Sequence, residues 1–420
     1  MEHDELRRRL GRLGLTRGAE QMPRPGRRKP RPIEELLPGE ILATEQGACF
    51  LHREHFPLDH LHGGVPLSAL LDHPAQVAAL LARDERLAAL DPTRWAFVDT
   101  ETTGLAGGTG TYAFLVGIGL FEADGFAVYQ FFMRDYDEEP AQIQSLARVL
   151  EPLDAVVSFN GKSFDMPLLE TRFIMTRQAP LLRGAPHLDL LPVSRRIWKH
   201  RLESCALSNL EAEVLGVRRA QEDVPGWLIP GLYGDYVRSR DAREMPRIFY
   251  HNAQDILSLV VLAARLCSLL TAPLDPNVDG ELPGEDLYGL GRLLCELGQD
   301  ERGEMALARA AAGCRVPAVR EMAMRDLAYL LKRQERRDEA LPWWQRLARE
   351  ERAIYAFEEL AKHYEWHARD AAQALAWTEE AMALVQAWPP GPRRREALAE
   401  LQHRLNRLRQ RSPGPGDLGP

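Results

Sequence analysis

Apolar positions change their period along the chain, and the changes mark its elements. From Trp95 three runs, "RWAFVDTET", "TYAFLVGIGLF" and "GFAVYQFFM", are rich in aromatic and β-branched residues. A Gly/Thr turn at 104–110 and "EADG" at 122–125 join them. Short turns between adjacent runs of this kind predict an antiparallel meander. A helical pattern follows at 138–151, then the buried strand "DAVVSFN", a helix over 163–176 and a short strand at "PHLDLL". Strands first in a meander and then alternating with helices predict a mixed α/β sheet flanked by helices. "MPRIFYHNAQDILSLVVLAARLCSLL" is a long closing helix, apolar at Ile256, Leu259, Val260 and Ala263, and Pro273 and Pro276 lie beyond it.

Past that helix the pattern becomes wholly helical. "TAPLDPNVDGELPGE" has the Pro/Gly content of a linker. Laid against itself at 34 residues, the rest superposes Ala306-Leu307, Ala340-Leu341 and Ala374-Leu375, and likewise Leu293, Leu327 and Ala361. That spacing belongs to the tetratricopeptide helical hairpin, whose stacked units bury a continuous core. The division expected is a basic Pro-rich disordered tail (1–35), an N-terminal extension packed on the next domain (36–93), an α/β domain (94–270), a linker (271–284), helical repeats (285–411) and a second disordered tail (412–420).

Composition narrows the classes. With 420 residues, 45% of them hydrophobic, the chain is long enough for two or three domains with their own cores. Its apolar runs are interrupted by charges, and Arg7, Arg8 and Arg9 precede no apolar h-region, so a cytoplasmic protein away from membranes is expected. Five cysteines without a CxxC spacing point to reduced thiols. The net charge of -8 conceals local basic segments: residues 1–32 hold ten Lys or Arg against four acids, and "RRREALAELQHRLNRLRQR" holds seven Arg against two.

The candidate chemistry lies in "FVDTETTGLAGGTGTYAFLVGIG". Asp99 and Glu101 are two apart at the end of a strand, so both side chains point to one face and can reach one metal cluster. Asp165 follows the apolar strand in "SFNGKSFD", and Asp255 sits in "YHNAQD" near the start of the long helix. Hydrolysis of a phosphodiester needs an activated water and a counter-charge for the leaving oxygen, which two divalent ions about 4 Å apart supply. Such hard ions take oxygen ligands.

These motifs, in this order, resemble the DEDD exonuclease set of the ribonuclease-H-like superfamily: Asp-x-Glu-Thr, then Asn-x-x-x-Phe-Asp, then Tyr or His upstream of an Asp. "HLDLLPVSRRIW", "LSNLEAEVLG" and "EDVPGWLIPGLYGDY" look in particular like the YprB-type bacterial proteins, over residues 36–270. The resemblance implies a ribonuclease-H-like fold and a metal-dependent 3′ to 5′ exonuclease acting on single-stranded nucleic acid. It also implies Asp99, Glu101, Asp165 and Asp255 as ligands of two Mg²⁺ or Mn²⁺. His251 lies four residues before Asp255 and Tyr250 five, whereas relatives carry a tyrosine four before or a histidine five before, so this chain departs from the pattern and leaves the roles of the two open. On a helix four residues turn a side chain about 40° away and five about 140°, which favours His251 as the group that orients or deprotonates the attacking water. Thr102, Gly104, Asn160, Arg195, Trp198 and Lys199 are the candidate substrate contacts, the last three as a basic and aromatic platform for a single strand. Asp189 is a candidate outer acid.

Three other patterns are weaker. The turn 104–110 lacks a Gly-Lys-Ser/Thr ending and leads into a strand, which argues against an ATP site. Cys49, His52, His55, His60 and His62 lack a matching second ligand pair for zinc. His363 and His367 lack the HExxH order. The rival to the nuclease is a non-catalytic adaptor that binds nucleic acid or protein, with the repeats as a surface for a protein partner.

Overall fold

The computed structural model describes residues 29–104, 110–219, 223–271 and 282–411. A seven-stranded sheet has the order β1-β2-β7-β6-β5-β8-β9. Its strands are β1 (Glu40–Thr44), β2 (Gly47–Phe56), β5 (Trp95–Thr102), β6 (Ala113–Glu122), β7 (Gly125–Phe132), β8 (Ala155–Ser158) and β9 (His187–Asp189), while β3 (Leu61–His62) and β4 (Val65–Pro66) form a small separate ladder. The meander β5-β6-β7 is antiparallel as the sequence predicts, and β8 and β9 run parallel to β5. Parallel strands share their carboxyl ends. The segments after Val98, Ser158 and Leu188 therefore open on one end of the sheet.

The helices of eight or more residues, in chain order, are α1 (Ala75–Ala82), α2 (Glu139–Leu150), α3 (Asp165–Met175), α4 (Leu190–Trp198), α5 (Ile229–Ser239) and α6 (Met245–Thr271). Seven more follow: α7 (Gly284–Glu296), α8 (Asp300–Gly313), α9 (Pro317–Arg333), α10 (Arg337–Arg349), α11 (Ile354–Trp366), α12 (Ala371–Gln386) and α13 (Pro392–Arg411). On β5 the side-chain alternation separates two cores. Ala96 and Val98 pack with Ile143, Leu146, Met166 and Phe173 of α2 and α3, whereas Trp95 and Phe97 pack with Leu257, Val260 and Val261 of α6. Asp99 and Glu101 continue the α6-facing set, and Thr100 continues the other.

The long helix approaches the sheet closely because β6 carries glycine there. A Cβ on Gly117 would overlap the Asn252 amide and Ile256, and one on Gly119 would overlap Ile256 and Phe126. Two missing side chains thus bring α6 down onto β6, with residues 251–255 beside the end of β5. By length and composition α6 could cross a membrane, contrary to the expectation that charges interrupt every apolar run. Most of it is buried, and it is the core helix of the α/β unit.

The segment 36–93 does more than pack against the sheet. β1 and β2 extend it, with Phe50 opposite Phe132 and Phe56 opposite Phe126. Ile33 is already buried, and the Ala242 amide donates to the carbonyl of Arg31, so the packed chain starts before residue 36. The rest of that tail, the linker core 272–281, the turn centre 105–109 and the tail 412–420 lie outside the described residues.

In the all-helical region the 34-residue register has a physical meaning. Ala306, Ala340 and Ala374 are fully buried in α8, α10 and α12, and Leu293, Leu327 and Ala361 are buried in α7, α9 and α11. Small residues recur where neighbouring helices approach. The first hairpin is not separate from the sheet domain, however. Leu290, Leu293, Leu294 and Ala306 belong to the same core as α4 and α6. A Cβ on Gly289 would strike the carbonyls of Arg196 and Ile197, and Arg201 donates to Asp286 at 2.8 and 3.0 Å. A Pro/Gly-rich connection does not prevent packing of the elements on either side of it.

Candidate metal centre

The end of β5 is shaped by a bulge between Glu101 and Thr102, which breaks the ladder with β6 and turns the strand out. The Thr102 hydroxyl donates to the Gly104 carbonyl at 2.9 Å, and the Thr103 amide donates to the Tyr112 carbonyl at 3.0 Å. These bonds close the base of the turn. Asp99 is tied to α6: the Asn252 Nδ2 donates to its Oδ2 at 2.8 Å and to its carbonyl at 3.2 Å. Gln130 on β7 fixes the Asn252 amide by donating to Oδ1 at 2.8 Å, which leaves Nδ2 for Asp99.

Asp165 comes from the opposite layer. Thr100, which points away from Asp99 and Glu101, donates its hydroxyl to Asp165 Oδ1 at 2.5 Å and so draws the start of α3 toward the strand end. The turn before it is tight. Asn160 has φ +66°, and a Cβ on Gly161 would strike the Ser158 side chain. Asp189 holds that turn, accepting from the amides of Asn160 at 2.7 Å, Lys162 at 3.2 Å and Leu191 at 3.1 Å. Its carboxylate accepts from backbone N–H groups and caps α4, and its charge also presses the Asp165 carboxyl upward.

Asp255 and His251 lie one turn apart on the continuous helix α6, with His251 Nε2 3.7 Å from Asp255 Oδ2. The segment is helical throughout, which is the condition that puts His251 rather than Tyr250 on the Asp255 face. His251 Nδ1 is 2.8 Å from Asp223 Oδ1 and 3.0 Å from Arg219 Nη1. One ring nitrogen cannot both donate to the carboxylate and accept from the guanidinium. The shorter, charge-assisted bond to Asp223 assigns the proton to Nδ1 and leaves the Nε2 lone pair toward Asp255.

Arg219 was not legible in the sequence as a site residue. Its Nε and Nη2 donate to the two oxygens of Glu211 at 2.7 and 2.6 Å, and Nη2 also donates to Asp255 Oδ1. Glu211, buried, begins a π-helical turn (Glu211–Leu215) and accepts from Ser258 at 2.6 Å. A π turn sits often at functional sites.

The four carboxylates act on one another electrostatically, although the group of three ligand-type residues whose ligand atoms lie within 4.8 Å of one another among the described residues is His55, Glu122 and Asp124. Burial raises Asp99 well above the usual carboxylate range, with further upward pressure from Asp255 and Asp165. Glu101 is raised in the same way, by burial and then by Asp99, Asp255 and Asp165. Burial also lifts Asp165 to about 6, against the Thr100 hydrogen bond. Such a cluster is costly unless cations neutralise it. Its donors are hard oxygens, and only one oxygen each of Asp99, Asp165 and Asp255 is engaged by the Asn252, Thr100 and Arg219 bonds described above. By donor type the residues present suit divalent ions of the Mg²⁺ or Mn²⁺ type.

The other candidates fare differently. Trp198 is 2% exposed in the core with Leu190, Leu191 and Ile197, so its ring offers no face to a base. Burial of a side chain of this size is worth on the order of 2–3 kcal/mol, and the helical spacing of "LLPVSRRIW" already places Trp198 on the apolar stripe with Leu191 and Ser194. Arg195 and Lys199 are exposed, further along α4 from Asp189 at the carboxyl end of the sheet. Gly104 has open space around it, and no crowding demands glycine there.

The candidate zinc residues diverge. His52 bonds the Pro38 carbonyl, His62 bonds Ser258, and Cys49 bonds Ser145. His55 does join Glu122 and Asp124 in a group with ligand-compatible spacing, but at the β6–β7 turn, the opposite end of the sheet from Asp99. There Glu122 is already engaged by Arg53 and Tyr129. The His363 and His367 rings are 6.1 Å apart on the helical region, remote in sequence and fold from the carboxylates.

Comparison with known proteins agrees with this fold. Residues 96–267 match the RNase_H superfamily. Over 350 residues, 81% of this chain and 81% of the relative, the sequence is 29% identical to "Uncharacterized protein YprB" of Bacillus subtilis (strain 168). The matched segment holds β5 through α6 and with them all four carboxylates. The mixed sheet and the order of its acidic motifs agree with this match of residues 96–267 to the RNase_H superfamily, in a chain that is similar to YprB over 81% of its length and continues into an all-helical region.

Proposed function

We propose that the protein is a metal-dependent nuclease, a DEDD-type 3′ to 5′ exonuclease that hydrolyses single-stranded nucleic acid. The observation that carries this reading is the electrostatic coupling of Asp99, Glu101, Asp165 and Asp255, with an imidazole whose Nε2 lies 3.7 Å from Asp255 Oδ2. These four carboxylates would hold two Mg²⁺ or Mn²⁺ ions, whose chemistry is to supply an acidic water near neutral pH and to neutralise charge on the leaving oxygen.

The protein's own groups do the rest. Asn252 and Thr100 hold Asp99 and Asp165 in fixed rotamers. His251 receives the proton of the attacking water at Nε2, and Asp223, holding the Nδ1 proton, keeps that tautomer and steadies the imidazolium that forms. The bulged end of β5 and the turn after it would receive the strand terminus at Thr102 and Gly104, while Asn160 shapes the loop that carries Asp165. Exposed Arg195 and Lys199 serve as phosphate contacts away from the reacting centre. The helical hairpins are tetratricopeptide-like repeats that carry a protein partner or a longer strand, and a cytoplasmic location fits the buried, non-membrane setting of α6.

The test is incubation with 5′-labelled single-stranded and duplex DNA and RNA, with free or blocked 3′ ends, in Mg²⁺, Mn²⁺ or chelator. A ladder of 3′-shortened products that needs metal and a free 3′ end supports the reading. Binding without cleavage in every metal would instead support the adaptor.

A further inference from the structure

The Arg219 guanidinium is anchored along one edge and presents the other to the acidic cluster. Glu211 takes Nε and Nη2 in a two-pronged pair, at 2.7 and 2.6 Å. Glu211 is itself fixed: Ser258 donates to its Oε1 at 2.6 Å, and His62 Nε2 lies 2.7 Å from the Ser258 hydroxyl. The turn of the small β3–β4 ladder closes on this anchor, since a Cβ on Gly63, at φ +63°, would strike the Leu215 carbonyl at the end of the π-helical turn. At the other edge the second Nη2 hydrogen goes to Asp255 Oδ1. Nη1 has two hydrogens. One reaches Asp223 Oδ2 at a long 3.3 Å, and the other lies toward His251 Nδ1, 3.0 Å away, which carries its own proton and cannot accept. The side chain is 12% exposed. Its charge also pulls the Asp99 and Glu101 carboxyls downward against their burial.

We propose that Arg219 is a catalytic residue that donates through Nη1 to a non-bridging oxygen of the scissile phosphate. This rests on the nuclease reading of the same site. Converging carboxylates repel a phosphodiester, and Arg219 is a positive charge that the chain itself places among them. The contact leaves the existing pairs intact, because Nε and Nη2 serve Glu211 and Asp255 while Nη1 serves the substrate. A phosphodiester reacting beside Asp255 therefore meets the guanidinium that Asp255 already holds. A donor fixed in advance and aimed at developing charge is worth about 10²–10³ in rate. The anchor also accounts for the residue type: a lysine ammonium is a point charge, without one arm to fork with Glu211 and another for a phosphate.

The experiment is a substrate-modification cycle on the full chain. Binding of a labelled single-stranded oligonucleotide is measured in Ca²⁺, with either a phosphodiester or a neutral methylphosphonate as its 3′-terminal linkage. The methylphosphonate should weaken binding to wild type, and that penalty should be about 10-fold smaller in Arg219→Gln, which has no guanidinium contact to lose. A methylphosphonate far from the 3′ end should cost both proteins alike. In Mn²⁺, single-turnover cleavage of the phosphodiester should fall about 10²-fold in Arg219→Gln, and Arg219→Lys should recover only part of it. The double variant Glu211→Gln/Arg219→Gln removes the buried pair together and should repeat the cycle without a stranded carboxylate. Equal penalties in wild type and both Gln variants would overturn the proposal, as would failure of both variants to fold, which would assign Arg219 to the fold alone. Wild type that binds with this coupling but never cuts would keep the phosphate contact and sink the nuclease reading. Wild type that cuts without the coupling would sink the contact alone, and wild type that binds no strand would end both.

Discussion

Asn252 donates to both the carboxylate and the backbone carbonyl of Asp99, at 2.8 and 3.2 Å, and so joins the middle of the closing helix to the end of the central strand. The bond exists because Gly117 lets the helix in and Gln130 turns the amide the right way. Asn252→Asp would replace the donor with a fifth acidic acceptor. In chelator the variant should lose about 1–3 kcal/mol of stability in urea titration, and Mn²⁺ should restore part of it. An unchanged midpoint would show that Asn252 does not hold Asp99.

His251 and Tyr250 are adjacent in sequence, but the helix turns His251 toward Asp255. His251→Ala should slow cleavage by about 10²–10⁴, and Tyr250→Phe should leave the rate near wild type. Asp223→Asn replaces the charged acceptor of the Nδ1 proton with a neutral amide and should fall between them. The reverse order in single-turnover rates would transfer the role of base to Tyr250.

The raised carboxyls make a pH prediction. Burial lifts Asp165 to about 6 from an ordinary 3.8. Its protonated form is favoured in the folded state, so this contribution to stability is full below about 3.8 and is lost as the pH rises through about 6. Asp165→Asn stays neutral. In chelator its stability relative to wild type should therefore climb between pH 4 and 6 and then level off, and Mn²⁺ should shrink the difference. Parallel stability curves for the two proteins across that range would contradict the burial of Asp165 in an acidic cluster.

Removal of the helical region is expected to damage the sheet domain. Ending the chain at 281 strips Leu290, Leu293 and Leu294 from the core shared with α4 and α6. That form should be insoluble or strongly destabilised, whereas a chain ending at 313, which keeps α7 and α8, should be recovered folded. A soluble, cooperatively melting 1–281 fragment would show that the shared core is dispensable.

The central strands were readable because their signals are local: apolar runs of strand length bounded by short turns, and acids two apart at a strand end. Asp99, Glu101, Asp165, His251 and Asp255 came from such spacing, with the resemblance supplying their roles. The pairing of β2 with β7 was not readable, since it joins Phe50 to Phe132 across a long loop and nothing near residue 50 names its partner. Arg219 was hidden among 53 basic and 61 acidic residues, where no spacing rule links it to Glu211, Asp223 and Asp255. Trp198 misled because a tryptophan beside arginines suggests a stacking platform until its helical stripe is counted. The first hairpin was set apart by a linker composition that says how the chain travels and nothing about what packs afterwards.

The central claim is that the four carboxylates are a catalytic metal site, and the most direct measurement pairs cleavage with ion binding in Asp99→Asn. Labelled single-stranded oligonucleotide and Mn²⁺ are given to wild type and variant at equal, folded concentrations. The account predicts metal-dependent shortening by the wild type and no detectable product from the variant. It also predicts weakened Mn²⁺ binding and, in chelator, a higher melting temperature for the variant, because one repelling charge has gone. An Asp99→Asn protein that cuts at the wild-type rate would contradict it.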